Sequence, residues 1–235
     1  MFSYTINNPN NLVINNNNFH AIPIGYRCST AIACKYAKIR NFSLPFDWGI
    51  PWNPTKIQTI LENDFQNFCN FESINNSNIM YNKTYDFQSG HFTNENNVLN
   101  ETFHRRIDRF NNIMNESTKK YFIHINEDFI YSTYHKTYEF CNNIFNELLE
   151  FEDFIKKKYT NIEYNILYFD FNKHNIPKNS NIINIVLNSN VIYNTVHESP
   201  YEEFRMYCGQ ILSELFYTNV LKEDIIIYNE NIFNE

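Results

Sequence analysis

The chain has 235 residues, 43% of them hydrophobic and 17% aromatic, so it can bury a sizeable core and is expected to fold as one domain. Nineteen basic residues against 26 acidic ones leave a net charge of −7. That balance argues against general attraction to nucleic-acid phosphates or to an anionic membrane surface, and four glycines with no GxGxxG or P-loop run exclude a glycine-rich phosphate loop.

In chain order, residues 1–18 are rich in asparagine and read as a polar surface arm. Residues 20–26 read as a short buried strand ending at Gly25. Residues 28–40 follow as a helix, with Ile32, Tyr36 and Ile39 at helical spacing. Prolines and glycine crowd residues 43–54 around Phe46, Asp47 and Trp48, which predicts an ordered loop whose two aromatic rings are buried against the preceding helix. Pro54 opens a helix with Ile57, Ile60, Leu61 and Phe65 on one face. Residues 70–100 are polar and irregular. From Glu101 a helix turns Phe103, Ile107, Phe110 and Met114 inward and sets Arg105 and Arg109, four apart, on one flank. Strands are expected at 120–126, 164–171, 182–187 and 224–228, with helices at 138–158 and 200–217. This alternation predicts an α/β fold, with a single domain over residues 19–235 and a mostly parallel sheet layered by helices.

Cys28 stands where a strand gives way to a helix. There the helix dipole and unpaired backbone N–H groups favour a thiolate, and the same N–H groups can hold an oxyanion. Cys34, Cys69, Cys141 and Cys208 fall within or at the ends of helices and read as packed thiols. An odd number of cysteines, no CxxC pair and a start without a charged-then-apolar leader predict reduced thiols in the cytoplasm. No apolar run approaches the roughly 18 residues that span a bilayer.

Ile24-Gly25-Tyr26-Arg27-Cys28-Ser29, followed by Arg40-Asn41-Phe42-Ser43-Leu44-Pro45-Phe46-Asp47-Trp48, resembles the signature of a family of papain-like cysteine peptidases of largely unknown function, found in bacteria and large DNA viruses. Pro-Phe-Asp-Trp is its most specific block. Gly90-His91-Phe92 and the Arg105-Arg106 and Arg109-Phe110 pairs agree more loosely, so the resemblance covers roughly residues 20–130. The 42 asparagines fit coding in an AT-rich genome, such as that of a giant DNA virus, where host cytoplasm or virion would be the location. The resemblance implies a Cys28 nucleophile with His91 as its base, and a papain-like α+β fold as the alternative to α/β.

Asp47 can orient a histidine, or it can cap its own loop by accepting backbone N–H bonds. Arg27, Trp48, Arg105 and Arg109 are the candidates for holding substrate, although Glu101 and Asp108 are spaced to pair with Arg105. Among the other histidines, His20 can face Cys28 from the preceding strand, and His124 reads as a core residue bonded to a backbone carbonyl. His104 reads as surface, and His135, His174 and His197 lack a local partner. No HxH, HExxH or Cys/His spacing supports a metal, and no cofactor is expected. The leading expectation is a cysteine-dependent hydrolase or acyltransferase acting on an amide, ester or thioester of a protein or small acyl substrate, with no nucleic-acid or membrane partner. The alternatives are a Rossmann-like protein that binds a nucleotide-sugar or phosphate through Arg105 and Arg109, and a non-catalytic interaction module.

Overall fold

The computed structural model describes residues 3–8, 18–50, 53–73, 80–89, 96–127, 143–188, 200–217 and 226–227. In chain order the elements are β1 (Ser3–Asn7), β2 (Phe19–Pro23), α1 (Cys28–Tyr36), α2 (Pro54–Glu62), β3 (Glu72–Ser73), β4 (Met80–Asn82), β5 (Phe87–Ser89), α3 (Asn96–Asn115), β6 (Lys119–Ile125), α4 (Ile144–Lys158), β7 (Tyr164–Asp170), β8 (Ile182–Leu187), α5 (Pro200–Tyr217) and β9 (Ile226–Ile227). Six strands form one sheet in the order β2-β6-β7-β8-β1-β9. β2, β6, β7 and β8 pair in parallel, while β1 runs antiparallel to both β8 and β9. The expected parallel majority is therefore present, and residues 119–187 do not build the antiparallel second half of a papain-like fold.

Strand alternation sorts the core into two layers. Ile22, Phe122, Ile166 and Ile182 face the layer holding α2, α3 and α4, where Ile57, Phe103, Phe110, Leu148 and Phe151 are buried. Tyr121, Ile123, Leu167 and Ile183 face the other layer, where Ala33, Cys34 and Ala37 of the α1 segment meet Cys208, Ile211 and Leu212 of α5. With both faces covered, the central strands are nearly continuous apolar runs, which is why they were legible in the sequence. Two glycines set the path of α1. A Cβ on Gly209 would lie 2.7 Å from the Tyr36 Cβ, so α5 can lie close to α1 only without one. A Cβ on Gly25 would lie 1.8 Å from the Thr30 Oγ1, so the turn from β2 into α1 closes only on glycine.

Several expectations need correction. The N-terminal arm supplies an internal strand: Tyr4 is 3% exposed and donates to Glu214 at 3.3 Å, because Tyr4 and Ile6 alternate with polar neighbours and share the α1/α5 layer. The first helix stops at Tyr36, where Lys38 takes a left-handed φ of 57° and the Ile39 amide bonds back to the Cys34 carbonyl. The polar stretch after residue 70 holds a small antiparallel sheet, β3-β4-β5, seated on buried Met80 and Phe87, and α3 begins at Asn96 rather than 101. Phe46 is buried, but against Phe65, Phe68 and Phe110 of the α2/α3 layer, at centroid distances of 5.9, 6.1 and 5.9 Å, and not against α1. The small inward side chains of α1 already pack on α5. Trp48 is only half-buried. Among the described residues no helix is long and apolar enough to cross a membrane.

Candidate functional site

Parallel sheets present their chemistry at the carboxyl ends of the strands, where loops lead into helix N-termini. Here β2, β6 and β7 end together, and two consecutive residues after β6 point to opposite sides of that edge. Glu127 belongs to the α1/α5 side and Asn126 to the α4 side, as strand alternation requires.

On the α1/α5 side, Cys28 is the first residue of α1 and is half-buried. The preceding cap position is Arg27, whose side chain makes no capping hydrogen bond, and the first turn carries no acidic residue. Arg205 of α5 donates from Nε to the Ser29 hydroxyl at 2.8 Å, from Nη1 to Glu202 at 3.3 Å, and from Nη2 toward the Cys28 Sγ at 3.9 Å. Glu127 is 1% exposed, and neither of its carboxylate oxygens receives a hydrogen bond of normal geometry. Burial pushes its carboxyl above the ordinary range, and the Ser29 hydroxyl and the charges of Arg27 and Arg205 pull the other way without offsetting it.

The thiol of Cys28 contradicts the expected thiolate. Burial raises it above the ordinary thiol value and Glu127 adds to the rise, and together they outweigh Arg205 and Arg27. The helix N-terminus alone does not ionise a sulfur that has lost most of its water.

On the α4 side, Asp170 at the end of β7 is 3% exposed and fully bonded. It accepts from Tyr168 Oη at 2.9 Å, Asn126 Nδ2 at 3.2 Å and the Phe171 amide at 2.7 Å, and His174 Nε2 lies 2.5 Å from it. The His174 backbone is pinned in turn: its amide donates to Asn184 Oδ1 at 3.1 Å and its carbonyl accepts from Asn7 Nδ2 at 2.7 Å. Its ring stacks on Phe145 at 4.4 Å. Beside this network His124 is 1% exposed with no partner for either ring nitrogen, and burial pushes it down to about 4. The carbonyl bond expected for it is absent.

The structure brings Cys28 and Arg27 together and separates most of the other candidates from them. Asp47, 0% exposed, accepts from Arg40 at 2.6 and 3.0 Å and from the Leu44 amide at 3.0 Å, so it anchors its loop and orients no described histidine. Its charge acts on Cys34 and Arg106. Trp48 donates to the Ser43 hydroxyl at 3.3 Å, lies under Arg40 at 5.3 Å, and accepts from Ser89 through its carbonyl at 2.8 Å, which makes it a strut of the same loop. Arg105 and Arg109 are exposed on α3, in the layer opposite α1, the first bonded to Thr102 and the second over Phe42. Their neighbour Arg106 is the inward one, and burial lowers it to about 10. His20 meets Glu116 at 2.6 Å at the amino end of β2, far along the strand from Cys28. His91 lies outside the described residues, as do Cys141, His135 and His197. No cluster able to hold a metal occurs among the described residues.

No family model, curated protein or solved structure matches the chain. The site therefore stands on its own geometry.

Sequence reasoning missed Glu127, Arg205 and Asp170, and it read His174 as lacking a local partner although Asp170, four residues earlier, pairs with it. Asp170 and His174 carried a signal, a carboxylate and a histidine four apart directly after a buried strand. Arg205 carried none, being 177 residues from the sulfur it meets.

Proposed function

We propose that the protein is a cysteine-dependent hydrolase or acyltransferase, a single α/β domain that includes β1 and works inside a cell. The carrying observation is that Cys28 opens α1 among Arg27, Arg205 and a buried Glu127 approached by the Ser29 hydroxyl, a concentration of charge that folding alone gives no reason to bury. On this reading the thiol is the resting form. As the sulfur bonds to the carbonyl carbon of an amide, ester or thioester, its proton passes to Glu127. The carbonyl oxygen takes the displaced electron pair and is met by the amides of the first turn of α1. Glu127 then returns the proton to the leaving group, and water or a second acceptor removes the acyl group from sulfur. The likeness of residues 24–29 and 40–48 to papain-like peptidases supports the nucleophile, while Asp47 and Trp48 serve the scaffold. Substrate is a protein or a small acyl compound.

Exposure to p-nitrophenyl acetate tests this. The expected result is one nitrophenolate released per chain in a burst and an acetyl group on Cys28 by mass spectrometry, both lost in Cys28→Ser. Acetylation spread over several residues, or none at Cys28, overturns it. The raised thiol favours a second reading, in which Cys28 is packed beside a ligand site and does no chemistry.

A further inference from the structure

Ser29, the second residue of α1, is 1% exposed and lies between Arg205 and Glu127. Its oxygen accepts from Arg205 Nε at 2.8 Å, and its hydroxyl approaches the Glu127 carboxyl. A hydroxyl has one hydrogen and two lone pairs, so a guanidinium that occupies the oxygen turns the hydrogen away from itself and toward the carboxylate. Arg205 is held in place for this contact: Glu202, three residues earlier on α5, takes Nη1 at 3.3 Å, and Nη2 points toward the Cys28 Sγ at 3.9 Å. None of its nitrogens bonds Glu127, whose oxygens receive no hydrogen bond of normal geometry. The arginine therefore reaches the carboxylate through Ser29 and through space. Nothing local requires a bonded hydroxyl here. Serine stabilises a helix chiefly from the cap position, which Arg27 holds, and the equally buried Thr30 packs against Gly25 with its own hydroxyl unbonded.

We infer that Ser29 is a positioning residue that relays Arg205 to Glu127, aiming one hydroxyl hydrogen at the carboxylate and holding it beside the Cys28 sulfur as the base. The inference rests on the reading above in giving Glu127 that task. A protonated carboxyl has little need of the hydrogen, which fits the open contact of the resting site. An ionised one draws it in, because a bond to a charged acceptor is shorter and stronger. Ser29 thus favours the carboxylate against the burial that opposes it. The groups that face Glu127 are Arg27, Arg205 and Cys208. Arginines keep their charge and burial keeps the Cys208 thiol neutral, so Glu127 is the member that titrates below the thiol range.

The test follows the pH at which Glu127 gives up its proton, read from the infrared carbonyl band of its acid form and assigned by loss of that band in Glu127→Gln. Ser29→Ala is expected to raise this midpoint by about one pH unit, a tenfold change in proton affinity, and Ser29→Thr, which keeps the hydroxyl, to retain the wild-type value. The burst with p-nitrophenyl acetate, followed over the same range, should shift its rising limb by the same amount in Ser29→Ala and return to the wild-type rate above both midpoints. A merely structural serine would lower the rate equally at every pH. Where Ser29→Ala fails to fold, Arg205→Lys decides, since it keeps the charge but gives up the Nε bond, and the midpoint should again rise. An unmoved infrared midpoint, or a rate lost uniformly with pH, overturns the inference. A midpoint that moves while Cys28 is never acetylated removes the thiol chemistry and leaves the hold of Ser29 on Glu127 standing.

Discussion

The two sides of the carboxyl edge differ in how their polar groups are satisfied. On the α4 side, Asp170 has a partner for each oxygen and His174 is held by ring and backbone alike. On the α1/α5 side, Glu127 is as deeply buried, yet only the Ser29 hydroxyl approaches it, and neither oxygen receives a hydrogen bond of normal geometry. A satisfied network rigidifies the edge, whereas an incompletely satisfied one costs stability. A histidine paired with a carboxylate would attract attention on chemical grounds, yet its bonding assigns it to the scaffold. The less familiar group of Cys28, Glu127 and Arg205 is the one left open.

Removing Asp170 should have the largest effect. Asp170→Ala strands four donors at once and is expected to lose about 3 to 5 kcal/mol in urea unfolding, as for a broken buried pair. A loss under 1 kcal/mol would put the α4 side on the same footing as the other and erase the contrast.

His124 comes next, through pH. Its imidazole takes a proton at about 6.5 in the unfolded chain but only at about 4 in the fold. Between those values the unfolded state binds more protons, so stability rises with pH and is lost as pH falls through that window, by about 3 kcal/mol in all. His124→Phe should flatten this slope; a wild-type midpoint that is level from pH 7 to 4 would contradict the buried, unpartnered imidazole.

Glu127→Gln should act in the opposite sense. The folded carboxyl holds its proton to higher pH than the unfolded one, so wild-type stability falls as pH rises above the unfolded value near 4.5. The variant is freed of that cost and is expected to be more stable near neutral pH by about 1 kcal/mol. A destabilised Glu127→Gln would mean that the carboxylate is a structural clamp like Asp170.

Much of the frame was legible because β6, β7 and β8 are unbroken apolar runs and α4 and α5 keep a helical period between them. β1 was not, since five residues flanked by asparagines give alternation too little length to register. Strand order was equally hidden, because β1 reaches β8 only through contacts near 180 residues apart. At the site, Cys28 and Arg27 were visible through the local sequence of strand, glycine and helix. Asp47 was seen as a carboxylate between aromatic residues, but its partner Arg40 was not, because the helix reading ran through Arg40 where the chain in fact leaves α1. Glu127 and Arg205 become a pair only when β6 and α5 are brought to the edge where α1 starts.

The central claim, that Cys28 is held as a thiol by burial and Glu127 against the pull of Arg205, is tested most directly by its alkylation rate as a function of pH. The account predicts a wild-type midpoint above the ordinary thiol value, moved down in Glu127→Gln and up in Arg205→Gln. A midpoint below that value, or one that neither substitution moves, would contradict it.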